Sequence, residues 1–320
     1  MFKILIADKI DKSIIDQIKN PKFFFDYQPE ITPQELIKII YNYQGLIVRS
    51  RIKVTKEVID QGHDLKIIGR VGSGLDNIDI KEADARKIRV INSPESNSQA
   101  VAEITVGLII SLLRKLPSAY SSMNAGLWIK KELKGEEIEG KKIGVIGFGH
   151  IGKRVTKILK AFGAQVYYFS RTKKTNSLQY IFKHADIITV HLPLNVNTKN
   201  LVNKKLLELM KPTSFFINTS RGGVVEEKSL FKILKDKKIA GAALDVFWQE
   251  PLAPDSPWRK LPNVILTPHI AASTGEALKK GTQTIIDQVC PSYAGLQPKG
   301  LSKQLRGVDT RANSFASGVI

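Results

Sequence analysis

The stretch "KIGVIGFGHIGKRVTKILKAFG" at residues 142–163 decides the fold. A short apolar run leads into glycines at G-x-G-x-x-G spacing, Gly147, Gly149 and Gly152, and a helical pattern follows. In this context the first glycine permits a tight turn, the second lets the backbone approach a pyrophosphate, and the third allows close packing of helix on strand. The helix start adds N–H groups and a dipole that favour phosphate. The stretch therefore predicts a strand–turn–helix unit that holds a dinucleotide.

Short apolar strands alternate with helical patterns on both sides of this unit. We predict strands at 3–8, 45–50, 65–70, 88–93, 142–147, 165–169, 186–192, 214–219, 241–246 and 264–267, and early helices near 11–20, 33–42, 55–61 and 80–87. Such alternation is typical of parallel sheets covered by helices. The pattern predicts an α/β fold of two Rossmann-like parallel-sheet domains, one flavodoxin-like and one NAD(P)-binding, with a cleft between them.

A change of character near residue 95 indicates where the domains divide. The stretch 97–116 is a long apolar helix pattern, which we place at a domain or subunit interface. We assign 1–94 and 273–320 to a discontinuous substrate-binding domain, and 95–272 to the dinucleotide-binding domain. Beyond about residue 290 the sequence lacks a sustained period and is rich in turn formers, so we expect a poorly ordered tail.

Composition narrows the class of protein. A chain of 320 residues with 42% hydrophobic and 25% charged residues suits about two globular domains. The single cysteine, Cys290, allows no internal disulfide and fits a reducing compartment. Neither a signal-peptide pattern nor a membrane-spanning run is evident, and we expect a cytoplasmic protein without a metal site.

The net charge of +19 has two interpretations. A nucleic-acid-binding protein would gather its basic residues on one face, with aromatic side chains for stacking. Here the lysines are spread along the chain, on the polar side of amphipathic segments. We therefore favour a solvated lysine-rich surface that steers anionic ligands, with no nucleic-acid or membrane partner.

Three later strands are each followed by a polar side chain suited to one reaction. The blocks are "INTSRGGVVEE" (217–227), "GAALDVFWQEP" (241–251) and "VILTPHIAAST" (264–274), and they supply Arg221, Glu250 and His269. Because strand ends of a parallel sheet share one rim, these groups converge. Arginine binds a carboxylate through two hydrogen bonds. Histidine is a base near neutral pH, and a carboxylate orients its charged form. The set predicts hydride transfer at a 2-hydroxy acid.

These blocks resemble those of the D-isomer-specific 2-hydroxyacid dehydrogenase family, over about residues 45–280. The resemblance implies that Arg221, Glu250 and His269 are catalytic and that NAD or NADP is the cofactor. It also implies a homodimer, with nicotinamide near Asp245. The other cofactor-lining residues that it implies are His150, Ile151, Thr219 and Ser220. We interpret His191 as a structural or cofactor-shell residue rather than a second base.

Two blocks in the first domain bear on the substrate. "GLIVRSRIKVT" (45–55) puts Arg49, Ser50 and Arg51 at a strand end, where two arginines and a hydroxyl suit a phosphate. "RVGSGLDNID" (70–79) is a glycine loop whose N–H groups would hold a carboxylate, at Gly72, Ser73 and Gly74. The R-S-R block resembles that of D-3-phosphoglycerate dehydrogenases, where it grips the substrate phosphate. The alternative is that the arginines pair with surface carboxylates.

The stretch "FSRTKK" (169–174) bears on the choice of cofactor. An acidic residue often grips the ribose 2′-hydroxyl at this strand end, but here Ser170 and Arg171 stand in its place. Loss of the negative charge removes repulsion of a 2′-phosphate, and Arg171 would attract it. These residues favour NADP(H), whereas the family usually takes NAD.

The resemblance leaves three functions open. The first is D-3-phosphoglycerate dehydrogenase, which oxidises 3-phosphoglycerate to 3-phosphohydroxypyruvate in serine biosynthesis. The second is an NADPH-dependent glyoxylate/hydroxypyruvate reductase, which "SRTKK" favours and "RSR" disfavours. The third, from another class, is a non-catalytic nucleotide-sensing or nucleic-acid-binding protein on the same fold.

Overall fold

The computed structural model describes residues 1–170 and 176–293, and these form two parallel sheets. The first sheet has five strands, which are β1 (Phe2–Ile6), β2 (Phe23–Tyr27), β3 (Gly45–Val48), β4 (Ile67–Arg70) and β5 (Arg89–Asn92). Their order is β2-β1-β3-β4-β5, and every pairing is parallel. The predicted α/β class with two parallel sheets is confirmed.

The second sheet has six strands, which are β6 (Lys142–Ile146), β7 (Gln165–Phe169), β8 (Ile187–Val190), β9 (Phe215–Asn218), β10 (Gly241–Leu244) and β11 (Val264–Leu266). Their order is β11-β10-β9-β8-β6-β7, again all parallel. The chain leaves β6 for β7 on one side and then returns for β8 on the other. A crevice opens at such a reversal of strand order, beside the carboxyl end of β6.

Helices cover the faces of both sheets. They are α1 (Lys12–Asp16), α2 (Pro33–Ile39), α3 (Lys56–Gln61), α4 (Ile80–Ala85), α5 (Ser98–Leu113), α6 (Leu116–Asn124), α7 (His150–Ala161), α8 (Leu178–His184), α9 (Lys204–Leu207), α10 (Glu227–Lys235) and α11 (Gly275–Tyr293). The strands β3, β8 and β10, which lie inside their sheets, are buried along their whole length, as expected for sheets packed on two faces.

The chain passes between the two sheets twice. Helix α5 packs on the second sheet, where Val106 and Ile109 share a core with Val145. Helix α11 returns to the first sheet, where Ile285 and Ile286 are buried among the residues of its strands. The crossings therefore lie at about residues 93–98 and 271–275.

Three elements differ from the sequence prediction. Strand β2 was not predicted, and it forms because "FFFDY" pairs in register with β1 at the sheet edge. The stretch 97–116 is not one helix, since Lys115 adopts φ +51° between α5 and α6. Helix α11 continues to Tyr293, past the residue where the periodicity was predicted to fail, because Val289 is still buried in the core. The rest of the predicted tail, 294–320, lies outside the described residues.

An apolar surface is formed by α6 and the segment after it. Its members are 46–78% exposed, and we call them the α6 patch: Leu116, Tyr120, Met123, Leu127 and Trp128. No helix in the described ranges is both long and apolar enough to cross a bilayer.

Candidate active site

The glycine turn after β6 has the shape that a dinucleotide needs. Gly147 adopts φ +103°, and a Cβ there would overlap the backbone carbonyl of His191. Gly149 caps the start of α7 without a side-chain hydrogen bond, and a Cβ on it would meet nothing within 4 Å. Gly152 packs so closely on the turn that a Cβ would overlap the carbonyl of Gly147. The helix therefore opens toward solvent at its N-terminus, and the residues present fit a pyrophosphate.

The other predicted cofactor residues lie around this turn. His150 begins α7 and its Nδ1 is 3.3 Å from Oε1 of Glu95, while Ile151 packs partly into the core beneath. Ser170 directly follows β7, whose last residue accepts a hydrogen bond from the N–H of Gly147 at 3.0 Å. Ser170 is thus adjacent to the turn. Arg171 lies outside the described residues.

The loop after β9 is organised by a buried amide that the sequence analysis missed. Oδ1 of Asn218 accepts hydrogen bonds from the N–H and the hydroxyl of Ser220, at 3.0 and 2.7 Å, and Nδ2 donates to the carbonyl of Arg221 at 3.0 Å. The hydroxyl of Thr219 lies 3.0 Å from that of Thr105 on α5, which is fully buried. Asn218 therefore fixes the backbone of this loop at Ser220 and Arg221, and Thr105 contacts the side chain of Thr219.

Arg221 crosses from the second sheet to the glycine loop of the first. Its Nε and Nη2 each lie 2.8 Å from Oδ2 of Asp76, and Nη1 donates to the carbonyl of Ser220 at 2.7 Å. The approach depends on Gly74, because a Cβ there would overlap Nη2 of Arg221. The structure thus brings together two predicted elements, and it adds Asp76, which was not predicted.

His269 and Glu250 form a direct pair. Nδ1 of His269 lies 2.6 Å from Oε2 of Glu250, whose Oε1 accepts the N–H of Phe247 at 2.9 Å. Burial acts to raise the pKa of Glu250, but hydrogen bonds from His269 and Phe247, with the charges of His269 and Arg221, hold it below 4.5. The carboxylate therefore stays ionised and fixes the orientation of the imidazole.

Asp245 shapes the loop that presents His269. Its side chain is fully buried. Its Oδ1 accepts hydrogen bonds from the hydroxyl of Thr267 at 2.6 Å and from the N–H of Ile270 at 2.9 Å. Its Oδ2 accepts a hydrogen bond from the N–H of Ala271 at 2.8 Å. These bonds flank His269, which adopts φ +52°. The carboxylate holds a left-handed residue in place, and the predicted position of nicotinamide near Asp245 stays a prediction.

Arg51 is engaged by groups of its own domain. Its Nε lies 3.1 Å from Oδ1 of the buried Asp8, and its Nη1 and Nη2 donate to three backbone carbonyls at 2.5–2.8 Å, those of Ala7, Pro29 and Ile31. A guanidinium has five N–H groups, so these contacts use most of them. The side chain of Arg51 thus joins three segments of its own domain, and its phosphate role stays a prediction.

Arg49 and Arg70 are differently placed. The backbone carbonyl of Arg49 accepts a hydrogen bond from Nε of Arg70 at 3.2 Å. The pKa of Arg70 is lowered to about 10, mainly by burial and then by the positive charge of Arg221. Among the described residues neither Arg49 nor Arg70 forms a side-chain ion pair. Ser50, which is exposed, and Arg49, which is partly buried, line a shallow cavity of about 190 Å³. Arg70 was missed, although it ends a strand directly before the glycine loop.

The glycine loop also departs in part from its prediction. The N–H of Gly72 donates to Oγ of Ser93 at 2.9 Å, so in this structure it is already engaged, and its contact with a carboxylate stays a prediction. The hydroxyl of Ser73 donates to Oδ1 of Asn97 at 2.6 Å. The N–H groups of Ser73 and Gly74 stay candidates for substrate binding.

His191 is buried at the end of β8. Its Nε2 lies 3.0 Å from the Thr189 hydroxyl, and its Nδ1 finds no hydrogen-bond partner in the described part of the chain. Burial lowers the pKa of His191 to about 3, so the ring is neutral at physiological pH.

Comparisons with known proteins agree with this geometry. A model of the D-isomer specific 2-hydroxyacid dehydrogenase NAD binding domain matches residues 106–271. A D-3-phosphoglycerate dehydrogenase of Methanocaldococcus jannaschii is 38% identical over 300 residues, which are 90% of this chain and 57% of that protein. A hydroxypyruvate reductase of Thermotoga maritima is 37% identical over 298 residues, which are 90% of this chain and 97% of that protein.

Among solved structures, an acyclic imino acid reductase in complex with NADPH and D-Arg superposes with a TM-score of 0.85 at 31% identity, covering 93% of this chain and 99% of that one. The chain spans little more than half the length of its phosphoglycerate dehydrogenase relative, but nearly all of the hydroxypyruvate reductase. The sequence match, the glycine turn and the Arg221, Glu250 and His269 arrangement lead to one conclusion: the chain belongs to the D-isomer specific 2-hydroxyacid dehydrogenase family.

Proposed function

We propose that this chain is an NAD(P)-dependent D-2-hydroxyacid dehydrogenase in which His269 and Glu250 are the acid–base pair and Arg221 binds the substrate carboxylate. The observation that carries the proposal is the 2.6 Å contact between His269 and Glu250. It lies at the same sheet edge as Arg221, whose charge contributes to the low pKa of Glu250. This reaction needs a histidine oriented by a carboxylate, an arginine for the substrate carboxylate, and a glycine turn that holds a dinucleotide.

The chemistry divides between the side chains as follows. When bound, a nicotinamide cofactor accepts the hydride that C2 loses in oxidation and supplies it in reduction. Nδ1 of His269 is engaged by Glu250, which leaves Nε2 to take the hydroxyl proton in oxidation and to return it in reduction. Glu250 stabilises the positive charge that the ring gains. Arg221 binds the carboxylate and polarises the C2 oxygen.

The site belongs to a cleft between two domains in this proposal. We divide the chain near 94/95 and 272/273, so that the substrate-binding domain contains the first sheet and α11. The two crossings of the chain support this division, and so does the contact of Arg221 with Asp76 across it. Closure of such a cleft would exclude water from the reacting atoms.

We propose NADP(H) as the preferred cofactor on the evidence of Ser170. The structure has a hydroxyl beside the glycine turn, at the strand end where a carboxylate would repel a 2′-phosphate. Comparison of kcat/KM for NADPH and NADH tests this preference, with Ser170→Asp as the informative variant. We expect the ratio to shift toward NADH by about tenfold or more, since about 1.4 kcal/mol suffices for that change. A wild-type enzyme with a strong NADH preference would refute the proposal.

Our first candidate for the substrate is 3-phosphoglycerate, with the phosphate held by Arg49 and Arg70 rather than Arg51. Both guanidinium groups lack an ion-pair partner within the described ranges, and the positive charge of Arg49 contributes to the lowered pKa of Arg70. Two arginines suit a phosphate dianion. On this basis Arg49→Gln raises KM for the phosphorylated substrate alone.

A hydroxypyruvate or glyoxylate reductase is the second candidate. The engagement of Arg51 favours it, because one arginine of the R-S-R block is withdrawn from a phosphate site. The hydroxypyruvate reductase relative, with its nearly complete coverage, also supports it.

A matrix of NADH and NADPH against 3-phosphohydroxypyruvate, hydroxypyruvate, glyoxylate and pyruvate tests the function and separates the candidates. Wild type is compared with His269→Ala and with His63→Ala, whose ring is exposed, as the control. We expect the wild-type enzyme to turn over at least one pair, the His269→Ala variant to be at least about 100-fold slower, and the His63→Ala variant to keep the wild-type rate. Absence of turnover with every pair would favour the non-catalytic nucleotide-sensing or nucleic-acid-binding alternative.

We also propose a homodimer that covers the α6 patch. Tyr120 is 71% exposed on α6, a helix whose one buried residue is Ser122, and Trp128, four residues after the end of that helix, is 78% exposed. Large aromatic side chains in one patch are typical of an interface. Sedimentation should give a dimer for wild type and a monomer for the double variant Tyr120→Lys with Trp128→Lys. A wild-type monomer at micromolar concentration would contradict this assignment.

A further inference from the structure

The guanidinium of Arg221 has a side edge and an end edge, and Asp76 occupies the side edge. Nε–H and one N–H of Nη2 form the side edge, and both lie 2.8 Å from Oδ2 of Asp76. A further N–H, on Nη1, donates back to the carbonyl of Ser220 at 2.7 Å. Within the described ranges, one N–H on Nη1 and one on Nη2 are then left of the five that an arginine has. When Nη1 uses the N–H on its Cδ side to reach the carbonyl of Ser220, the two that are left lie in parallel at the end edge of the planar guanidinium.

Two parallel donors are what a carboxylate needs for a bidentate hydrogen bond. Their direction depends on the contact at the side edge, because the arginine side chain has several rotatable bonds. We propose that Asp76 is a positioning residue, which holds the side edge of Arg221 so that the end edge faces the carboxylate of a 2-hydroxy or 2-keto acid. The inference rests on the proposed function, and it gives Asp76 no direct contact with the reacting atoms.

The loop that carries Asp76 is held within its own domain by the residues after Asp76. Nδ2 of Asn77 donates to the carbonyls of Arg49 and Ile52 at 3.1 and 2.7 Å. Asp79 caps α4 by accepting the N–H of Glu82 at 3.1 Å. Asp76 therefore projects from an anchored segment, and it is the arginine that is held.

The charges around Asp76 point the same way. Burial lowers the pKa of Arg70, the positive charge of Arg221 lowers it further, and the negative charge of Asp76 opposes this effect. Asp76 thus faces two arginines that repel each other. Without its carboxylate, we expect Arg221 to turn away from Arg70 and to lose the direction of its end edge.

The pair also joins the two walls of the cleft. Asp76 follows a strand of the first sheet and Arg221 follows a strand of the second, 145 residues later. The carboxylate-binding group is therefore built from residues that follow strands of both sheets.

The experiment measures carboxylate recognition separately from cofactor binding. Oxamate, an unreactive analogue of a 2-keto acid, is titrated in the presence of reduced cofactor, and the Kd of the cofactor alone and KM for hydroxypyruvate are measured in parallel. For Asp76→Ala we expect oxamate affinity to fall about tenfold and KM to rise by a similar factor, because a charge-assisted contact is lost. We expect the Kd of the cofactor to stay within about twofold, and Asp76→Asn, which keeps one acceptor oxygen, to recover part of the oxamate affinity.

Asp79→Asn is the matched control, because it makes the same change in the same loop and Asn still caps a helix. It should leave every constant unchanged. Thermal melting shows whether each variant folds. If Asp76→Ala does not fold, the affinities of Asp76→Asn provide the test. Wild-type oxamate affinity in a folded Asp76→Ala variant would overturn the positioning role alone. Equal losses of oxamate and cofactor affinity would also overturn it, since they indicate general disruption. An inactive wild type would overturn the proposed function, and this inference with it.

Discussion

Nδ1 of His269 lies 2.6 Å from Oε2 of Glu250, although the two residues follow different strands, β11 and β10. The second oxygen of Glu250 is bound by the N–H of Phe247, so the carboxylate has little freedom to rotate. Both side chains are partly exposed, at 42% and 36%. The pair is therefore rigid on the protein side and open on the side where a substrate would bind.

Replacement of Glu250 by glutamine should reduce kcat by about 100-fold, because a neutral amide orients the ring without stabilising its positive charge. The cofactor Kd should not change. Steady-state rates in both directions measure this effect, and Glu276→Gln, an exposed glutamate at the start of α11, is the control. A Glu250→Gln variant with wild-type kcat would show that the carboxylate is dispensable.

Acid should remove the stabilising contribution of the same pair. The pKa of Glu250 in the folded protein is below its ordinary value of 4.5, so the stabilisation is complete above that pH and is lost as pH falls through the lower, folded value. Urea unfolding of wild type and Glu250→Gln between pH 7 and pH 3 tests the sign. The difference in unfolding free energy should shrink toward the acid end. A constant difference would mean that the carboxylate has the same pKa folded and unfolded.

His191 should make the protein sensitive to acid over a higher range. Its pKa in the folded protein is about 3, whereas the pKa of an exposed histidine is about 6.5. Between these two pH values the unfolded chain therefore binds one more proton than the folded protein. The unfolding free energy should therefore decrease as pH falls below about 6.5, by at most about 1.4 kcal/mol per pH unit from this residue. His191→Asn should show a shallower decrease than wild type, and His63→Asn the same decrease. Equal slopes for all three proteins would contradict the buried neutral ring.

Gly74→Ala should have the effect of removing Asp76. A Cβ at this position would overlap Nη2 of Arg221 and lie 2.5 Å from Oδ2 of Asp76, so the ion pair must separate. We expect KM for a 2-keto acid to rise about tenfold while the fold is retained, in keeping with loss of a charge-assisted contact. Gly275→Ala is the control, because a Cβ there meets nothing within 4 Å. If KM is unchanged, the loop adjusts and the close approach does not matter.

Arg51→Met should lower stability rather than change substrate preference. It leaves the buried Asp8 with fewer donors and frees three carbonyls, and we expect a loss of about 2 kcal/mol in unfolding free energy. Denaturant unfolding measures this loss of stability, and Arg114→Met, at an exposed arginine, is the control. A stable Arg51→Met variant with a raised KM for phosphorylated substrates alone would restore the phosphate role instead.

Local signals in the sequence were sufficient for the frame of the site. The alternation of strands and helices predicts parallel sheets, and parallel strands end at one rim, so Arg221, Glu250 and His269 had to be neighbours. The glycine turn follows from the spacing of its glycines between a strand pattern and a helix pattern. Strand β2 was missed because five residues, three of them phenylalanine, show no alternation that separates strand from helix.

Partners that are distant in sequence could not be predicted. Asp76 lies 145 residues from Arg221, and Thr105 lies 114 residues from Thr219, so only the packing of the two sheets and α5 brings each pair together. The same holds for Arg51, since its carbonyl partners come from loops 20–44 residues away. The residue pattern R-S-R shows how much charge is present, but it does not show which acceptors the fold delivers to it.

The placement of α11 determines the order in which the molecule is completed during synthesis. The first sheet begins at Phe2, yet one of its faces is covered by Ile285, Ile286 and Val289. A nascent chain emerging at about 5–20 residues per second exposes that apolar face until the whole second sheet has been made. The five-stranded sheet, first to be synthesised, is therefore the last to be finished, and the six-stranded sheet, whose helices lie within its own stretch of sequence, can fold ahead of it.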